Sequence, residues 1–143
     1  ERSNLYIINL YIMAQLYRAG RFIGSEGIGE NSAVLEDGDF VTLDGGYIAK
    51  AGVAEKIEGA AAGSYTMDSD NETVANSKVT FIKADEHTAY VIAADAAITQ
   101  ANVGSHFSLN ADQTVDVATA ASSGLEVKMV KFVNQTHSIY SIV

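Results

Sequence analysis

Lys78-Val-Thr-Phe-Ile-Lys-Ala84 and Thr88-Ala-Tyr-Val-Ile-Ala-Ala94, on either side of Asp85-Glu-His87, form the stretch that decides the fold. Both runs are rich in β-branched and aromatic residues, and the polar break between them reads as a hairpin turn. Val79 and Phe81 stand against Ile82, and Val91 stands against Tyr90 and Ile92. Both faces of each run are therefore apolar, and both strands are expected to be covered on two sides. The fold class that follows is mainly β: an antiparallel β-sandwich or small β-barrel, with an N-terminal helical or extended arm.

Upstream of this centre, Val34-Leu35, Asp39-Phe-Val-Thr-Leu-Asp44, Tyr47-Ile-Ala-Lys50 and Val53-Ala-Glu-Lys-Ile57 read as short strands. Asp44-Gly45 is a tight-turn signal between two of them, and Glu58-Gly-Ala-Ala-Ala-Gly63 suits a bend where another backbone comes close. Downstream, Asp95 to Gly104 is expected to hold a short helical turn stopped by its glycine. Ser105 to Asn110, Gln113 to Thr119, Leu125 to Val133 and His137 to Val143 supply four further strands. Turns recurring every eight to twelve residues are the rhythm of a sandwich or barrel. In the run Leu125 to Val133, Leu125, Val127 and Met129 alternate with Glu126 and Lys128, so one face of that strand is expected to meet water.

Working towards the N-terminus, the chain is read as an apolar arm and glycine-rich linker over 1–31, followed by a β domain over 32–143. Leu5, Ile8, Ile12 and Leu16 fall at helical spacing, with Ser3 or Asn4 as N-cap, and Tyr6, Leu10, Met13 and Tyr17 line a second apolar face. A strand competes, because Tyr6, Ile8, Leu10 and Ile12 also alternate. A segment apolar on nearly all sides is buried on most of them. Its tyrosines suit a contact in which one end of the ring stays wet. Leu5, Tyr6, Ile8, Leu10, Tyr11, Ile12, Leu16 and Tyr17 are thus the expected partner-contact residues. Deleting residues 1–25 is expected to leave a folded body.

Composition narrows the function classes. The chain has 143 residues, enough for a sizeable core, with no cysteine and no proline and a formal charge of −9. Without cysteine there is neither a disulfide framework nor a thiolate metal site. Residues 1–25 carry a net charge of +2 and the remainder −11. An acidic body disfavours nucleic-acid phosphates, so no nucleic-acid partner is expected. Leu5 to Tyr17 falls short of the roughly 20 residues that cross a bilayer, and no membrane partner is expected. No signal peptide is expected, since the chain opens on Glu1 and lacks the order of its regions, and the missing Met implies trimming, processing or an incomplete chain.

No catalytic constellation emerges, and no enzyme activity or cofactor is expected. His87, His106 and His137 share no ligand spacing, and no nucleophile elbow occurs. The glycines at 20, 24, 27 and 29 are not followed by Gly-Lys-Ser/Thr, which leaves no phosphate cradle. Asp68-Ser-Asp-Asn-Glu-Thr73 places Thr73 and Val79 where a calcium loop of the helix-loop-helix type needs glycine and a carboxylate, so a solvated acidic turn is expected. Asn71-Glu-Thr73 and Asn134-Gln-Thr136 match the glycosylation triplet. Tyr90 and Phe107 are expected in the core.

Ala97-Ile-Thr-Gln-Ala-Asn-Val-Gly-Ser-His-Phe-Ser-Leu109 with Gln113-Thr-Val-Asp116 resembles the β-rich capsid decoration proteins of tailed bacteriophages, also called cement or head-stabilising proteins. Gly38-Asp-Phe-Val-Thr-Leu43 and Ile57-Glu-Gly-Ala-Ala-Ala-Gly63 look similar to the opening strands of such domains. The likeness covers roughly residues 34–143 and leaves the arm unmatched. It implies a structural virion protein on the capsid exterior that bridges capsid subunits. The implied partners are the major capsid protein, copies of itself, or both, as a homo-oligomer. The alternatives are a pilin-like extracellular filament subunit packed through its N-terminal helix, and a carbohydrate-binding β-sandwich.

Overall fold

The computed structural model describes residues 14–18, 24–75, 77–85 and 88–143. The fold is mainly β, built from antiparallel sheets. In chain order the strands are β1 (Ala14–Arg18), β2 (Gly24–Ile28), β3 (Val34–Leu35), β4 (Phe40–Asp44), β5 (Tyr47–Lys50), β6 (Gly59–Ala61), β7 (Tyr65–Thr66) and β8 (Lys78–Lys83). They continue with β9 (Ala89–Ala93), β10 (His106–Leu109), β11 (Val115–Ala121), β12 (Val127–Phe132) and β13 (His137–Ile142). Two compact units result. One comprises residues 22–51 and 55–84; the other comprises residues 85–143 with Gly52–Ala54 and β1.

The first unit is a five-stranded sheet in the order β2-β8-β6-β4-β5. Gly29, just past β2, makes a parallel bridge to Ile48 of β5, and the Glu30 N–H donates to the Ile48 carbonyl at 2.8 Å. That contact joins the two outermost strands, so the sheet closes on itself as a small barrel. A two-stranded ribbon of β3 and β7 packs on it, and Leu35 and Met67 join Val41, Ile48, Ala61, Val79 and Phe81 in one apolar cluster. Asp44 pairs with Tyr47 across Gly45-Gly46, both at positive φ, as the tight-turn signal implies.

The second unit runs β9-β13-β12-β10-β11, with β1 added to the far side of β9. Ala94, just past β9, makes a parallel bridge to Val115 of β11, and the Asp95 N–H donates to the Val115 carbonyl at 3.0 Å. Tyr90, Ile92, Phe107, Val115, Val127, Met129 and Tyr140 are buried. Phe107 and Tyr140 meet edge to face with ring centroids 6.1 Å apart, the arrangement favoured by aromatic quadrupoles.

Leaving aside β1 and the β3–β7 ribbon, the five-stranded sheets of the two units are one diagram drawn twice. In each, the first strand pairs with the last, the last with the fourth, the fourth with the second and the second with the third. The registers agree: Phe40↔Ala60 and Val41↔Gly59 match His106↔Lys128 and Phe107↔Val127, and Ala61↔Phe81 matches Met129↔Tyr140. Bonds outside the strands agree as well. Gly38 N–H donates to Ala61 at 2.9 Å, and Gly104 N–H to Met129 at 2.8 Å. Ala84 N–H donates to Glu58 at 2.9 Å, and Val143 N–H to Glu126 at 3.0 Å. Gly38 and Gly104 hold φ of 90° and 91°, a backbone region open to glycine and closed to most side chains.

Several expectations are corrected. The stretch at 78–94 holds two strands but no hairpin: β8 pairs with β2 and β6, whereas β9 pairs with β1 and β13. Each already has neighbours on both sides, which leaves no edge for the other. β9 is covered on both faces, but β8 alternates, with Val79 and Phe81 buried and Lys78, Thr80 and Lys83 exposed. Residues 53–57 form no strand, and residues 59–61 form β6 in place of a bend. The helical turn expected over 95–104 is a 3₁₀ turn at Gln100–Asn102. Ala14–Arg18 is a strand where a helix was favoured, because its backbone completes the ladder of β9. Residues 24–28, expected as linker, are β2, so deleting residues 1–25 would remove β1 and cut into a barrel strand. Residues 32–143 fall in both compact units.

Candidate functional site

A sheet edge is the simplest binding site a β protein offers, because its backbone groups stand ready in a row. In the second barrel that edge is taken. β1 lies antiparallel on β9, pairing Ala14↔Ile92, Gln15↔Val91, Leu16↔Tyr90 and Arg18↔Ala89, with a register shift at Tyr17. Leu16 and Tyr17, expected as partner contacts, thus lie on a strand paired within the chain. Leu5, Tyr6, Ile8, Leu10, Tyr11 and Ile12 lie outside the described residues.

In the first barrel the corresponding strand is β2. Gly29 N–H donates to Ser77 at 3.0 Å, which sets the phase of the β2–β8 ladder. Counting back by twos, Gly27↔Val79 and Ser25↔Phe81 are hydrogen-bonded pairs, and Gly24, Glu26 and Ile28 turn their N–H groups away from β8. Thr80, opposite Glu26, confirms the phase, since its carbonyl accepts from the Ala62 N–H at 2.9 Å on the β6 side. Among the described residues no strand pairs with this outer edge of β2 ahead of the Gly29 bridge to β5, and Gly24 and Glu26 are exposed. Lys78 reaches the Glu26 carboxylate at 3.4 Å. Sequence reasoning missed this edge because the glycines of 24–29 read as linker.

The acidic residues sort into two kinds. Asp95 Oδ1 accepts the Val117 N–H at 3.0 Å and Oδ2 accepts the Asn110 amide at 3.0 Å. At the matching place in the first barrel, Glu30 faces Asp44. A shared hydrogen bond with Asp44, then burial, then the charges of Asp44, Glu72 and Glu55 raise the Glu30 carboxyl above its ordinary range. At the acidic turn, Asn71 is buried. Its amide donates to the carbonyls of Gly29 at 2.8 Å and Ser77 at 3.0 Å and accepts the Ser77 N–H at 2.8 Å. That triplet therefore tethers the ends of β2 and β8 and leaves no free amide for a glycan. Asn134 is exposed and caps the approach to β13, accepting the Thr136 and His137 N–H groups at 2.9 and 2.8 Å.

His106 lies on β10 opposite Lys128, and His137 on β13 opposite Ala93, with burial lowering the pKa of His137; His87 lies outside the described residues. No group of three or more His, Asp or Glu that could hold a metal occurs among the described residues. Tyr90 and Phe107 are fully buried, as expected of core residues. No helix among the described residues is long and apolar enough to cross a membrane. No protein-family model and no curated protein matches the chain.

Proposed function

We propose that the protein is a structural virion protein that binds the outside of an assembled phage capsid and stabilises it by bridging capsid subunits. The observation that carries this reading is the duplicated barrel. A bridging protein needs at least two contact surfaces, and one chain here holds the same five-stranded backbone module twice, each copy with its own side chains. Two linked modules bind a repeating lattice far better than either alone, because the second contact is made at high effective concentration. The segments that resemble decoration proteins also fall at matching places: Gly38-Asp-Phe-Val-Thr-Leu43 and Gly104-Ser-His-Phe-Ser-Leu109 enter the second strand of each barrel. The chemistry is burial and hydrogen bonding, with no reaction and no cofactor.

The filament reading depends on an N-terminal helix, and Ala14–Arg18 is strand. The glycan reading depends on exposed rings, whereas Tyr90, Phe107 and Tyr140 are fully buried. The test is to mix the purified protein with assembled shells of a tailed-phage major capsid protein, then sediment and image them. Knobs at fixed lattice positions and a higher shell-rupture temperature are expected. Bare shells, or helical fibres of the protein alone, would overturn the proposal.

A further inference from the structure

We infer that the outer edge of β2 accepts residues 5–12 of a second copy of this chain as an added antiparallel strand, in the way that β9 accepts β1. The inference rests on the assembly reading above for the idea that the N-terminal segment reaches a neighbour, and it names that neighbour and the contact.

Because the ladders match, β2 and β9 are the same strand of the same module: Gly24, Ser25, Glu26 and Gly27 stand where Ala89, Tyr90, Val91 and Ile92 stand. The module holds a sixth strand on this edge at β9, where Ala14, Gln15, Leu16 and Arg18 are paired. The β2 edge offers the same outward-turned N–H groups at Gly24 and Glu26, ahead of the Gly29 bridge to β5, with no described strand beside those two residues. An unpaired edge of this kind recruits backbone.

Stoichiometry identifies the occupant. Each chain has two such edges but only one strand, β1, described on them. On β9 the open stretch is short: past Ile92 and Ala93, Ala94 is bridged to Val115 on the side where β1 lies. Immediately before β1 the sequence reads Leu5-Tyr-Ile-Ile-Asn-Leu-Tyr-Ile12, eight residues rich in β-branched and aromatic types, enough to cover the five residues of β2. At roughly 3.3 Å per residue the run spans about 26 Å when extended. A strand given by one copy to the next makes a head-to-tail contact, which propagates along a lattice or closes a ring.

The chain contains no cysteine, so any disulfide reports an introduced pair. Glu26→Cys in one preparation is mixed with Tyr6→Cys, Ile8→Cys or Leu10→Cys in another, under mild oxidation, with Ser123→Cys on an exposed loop as the control partner. A linked heterodimer several-fold above the control is expected for at least one of the three. Control-level yield for all three overturns the inference, as does a doubly substituted chain that closes only on itself. Glu26→Pro removes an outward N–H and no ladder bond; it should abolish self-association in sedimentation, and retained association overturns the inference. If that variant does not fold, amide exchange of the unsubstituted protein decides: exchange at Gly24 and Glu26 should slow at least tenfold between dilute and concentrated samples, and unchanged exchange overturns the inference. Shell binding without self-association would sink this contact and spare the proposed function. Self-association without shell binding would do the reverse.

Discussion

Gly29 and Ala94 occupy one position in two copies of a module: the N–H of each donates to the residue just ahead of its barrel's last strand, Gly29 to Ser77 at 3.0 Å and Ala94 to Thr136 at 2.9 Å. Each also makes the parallel bridge that shuts its barrel. At such equivalent positions one barrel is a control for the other.

Asp44 and Asn110 are equivalent, and each faces the acid that follows its barrel's first strand. Asn110 donates to Asp95, whereas Asp44 confronts Glu30 and raises its pKa. A carboxyl whose folded pKa is raised holds its proton more tightly when folded. Its contribution is present below the ordinary value of 4.5 and is lost as pH rises through that value towards the raised one. Asp44→Asn should therefore stabilise the protein at pH 7 by about 0.5 kcal/mol, the scale of a solvent-screened charge pair. Thermal unfolding at pH 7 and pH 4 checks this, and a gain of equal size at both values would refute the account.

Glu126 Oε2 accepts the Ser108 hydroxyl at 2.7 Å and the Leu109 N–H at 3.0 Å, both partly buried. Glu126→Ala leaves both donors without that acceptor and should cost about 1–3 kcal/mol. Glu126→Gln keeps an acceptor and should recover most of the loss. Urea midpoints of the two variants decide the matter; equal midpoints would mean the carboxylate holds nothing in place.

Gly59 and Val127 open the fourth strand of their barrels. A Cβ on Gly59 would run into the Ile82 carbonyl oxygen and approach Phe81 Cδ2 to 2.9 Å. Backbone cannot swing aside as a side chain can, so Gly59→Ala should cost about 1–3 kcal/mol. Unchanged thermal stability would show that β6 and β8 separate more easily than the ladder implies.

Tyr140 is fully buried, and its hydroxyl has no hydrogen-bond partner among the described residues. Burial raises its pKa above the ordinary 10.0. Tyr140→Phe should be neutral or stabilising by up to about 1 kcal/mol at pH 7. The raised pKa means that stability is lost as pH climbs through 10, so the phenylalanine variant should resist alkaline unfolding better. A large loss in the variant would reveal a partner for the hydroxyl.

The strands themselves were legible where period and turn chemistry agreed. Val127, Lys128 and Met129 alternate in burial as their types demand, and Asp44-Gly45 turns where it should. Pairing was not legible, because adjacency in sequence argues for a hairpin at 78–94, whereas saturation of both edges argues against it only once the ladders are known. The duplication left one trace, Gly-Asp-Phe-Val-Thr-Leu at 38–43 against Gly-Ser-His-Phe-Ser-Leu at 104–109. Elsewhere the two copies share backbone and not side chains: Glu26 corresponds to Val91, Ser25 to Tyr90 and Gly59 to Val127. Gly27 read as linker, although it lies in a strand where the Ile48 side chain fills the space a Cβ would take, 3.0 Å away. The free edge of β2 was illegible for the same reason.

The pairing of first strand with last has a bearing on how the chain is made. Every ladder of the first barrel lies between Gly24 and Lys83, so nothing later in translation is needed for its completion. Nor can it finish early, since β8 is the middle partner that links β2 to β6. A nascent chain should thus pass through an abrupt gain in protease resistance once β8 has cleared the ribosome exit, and through a second one only after β13 emerges.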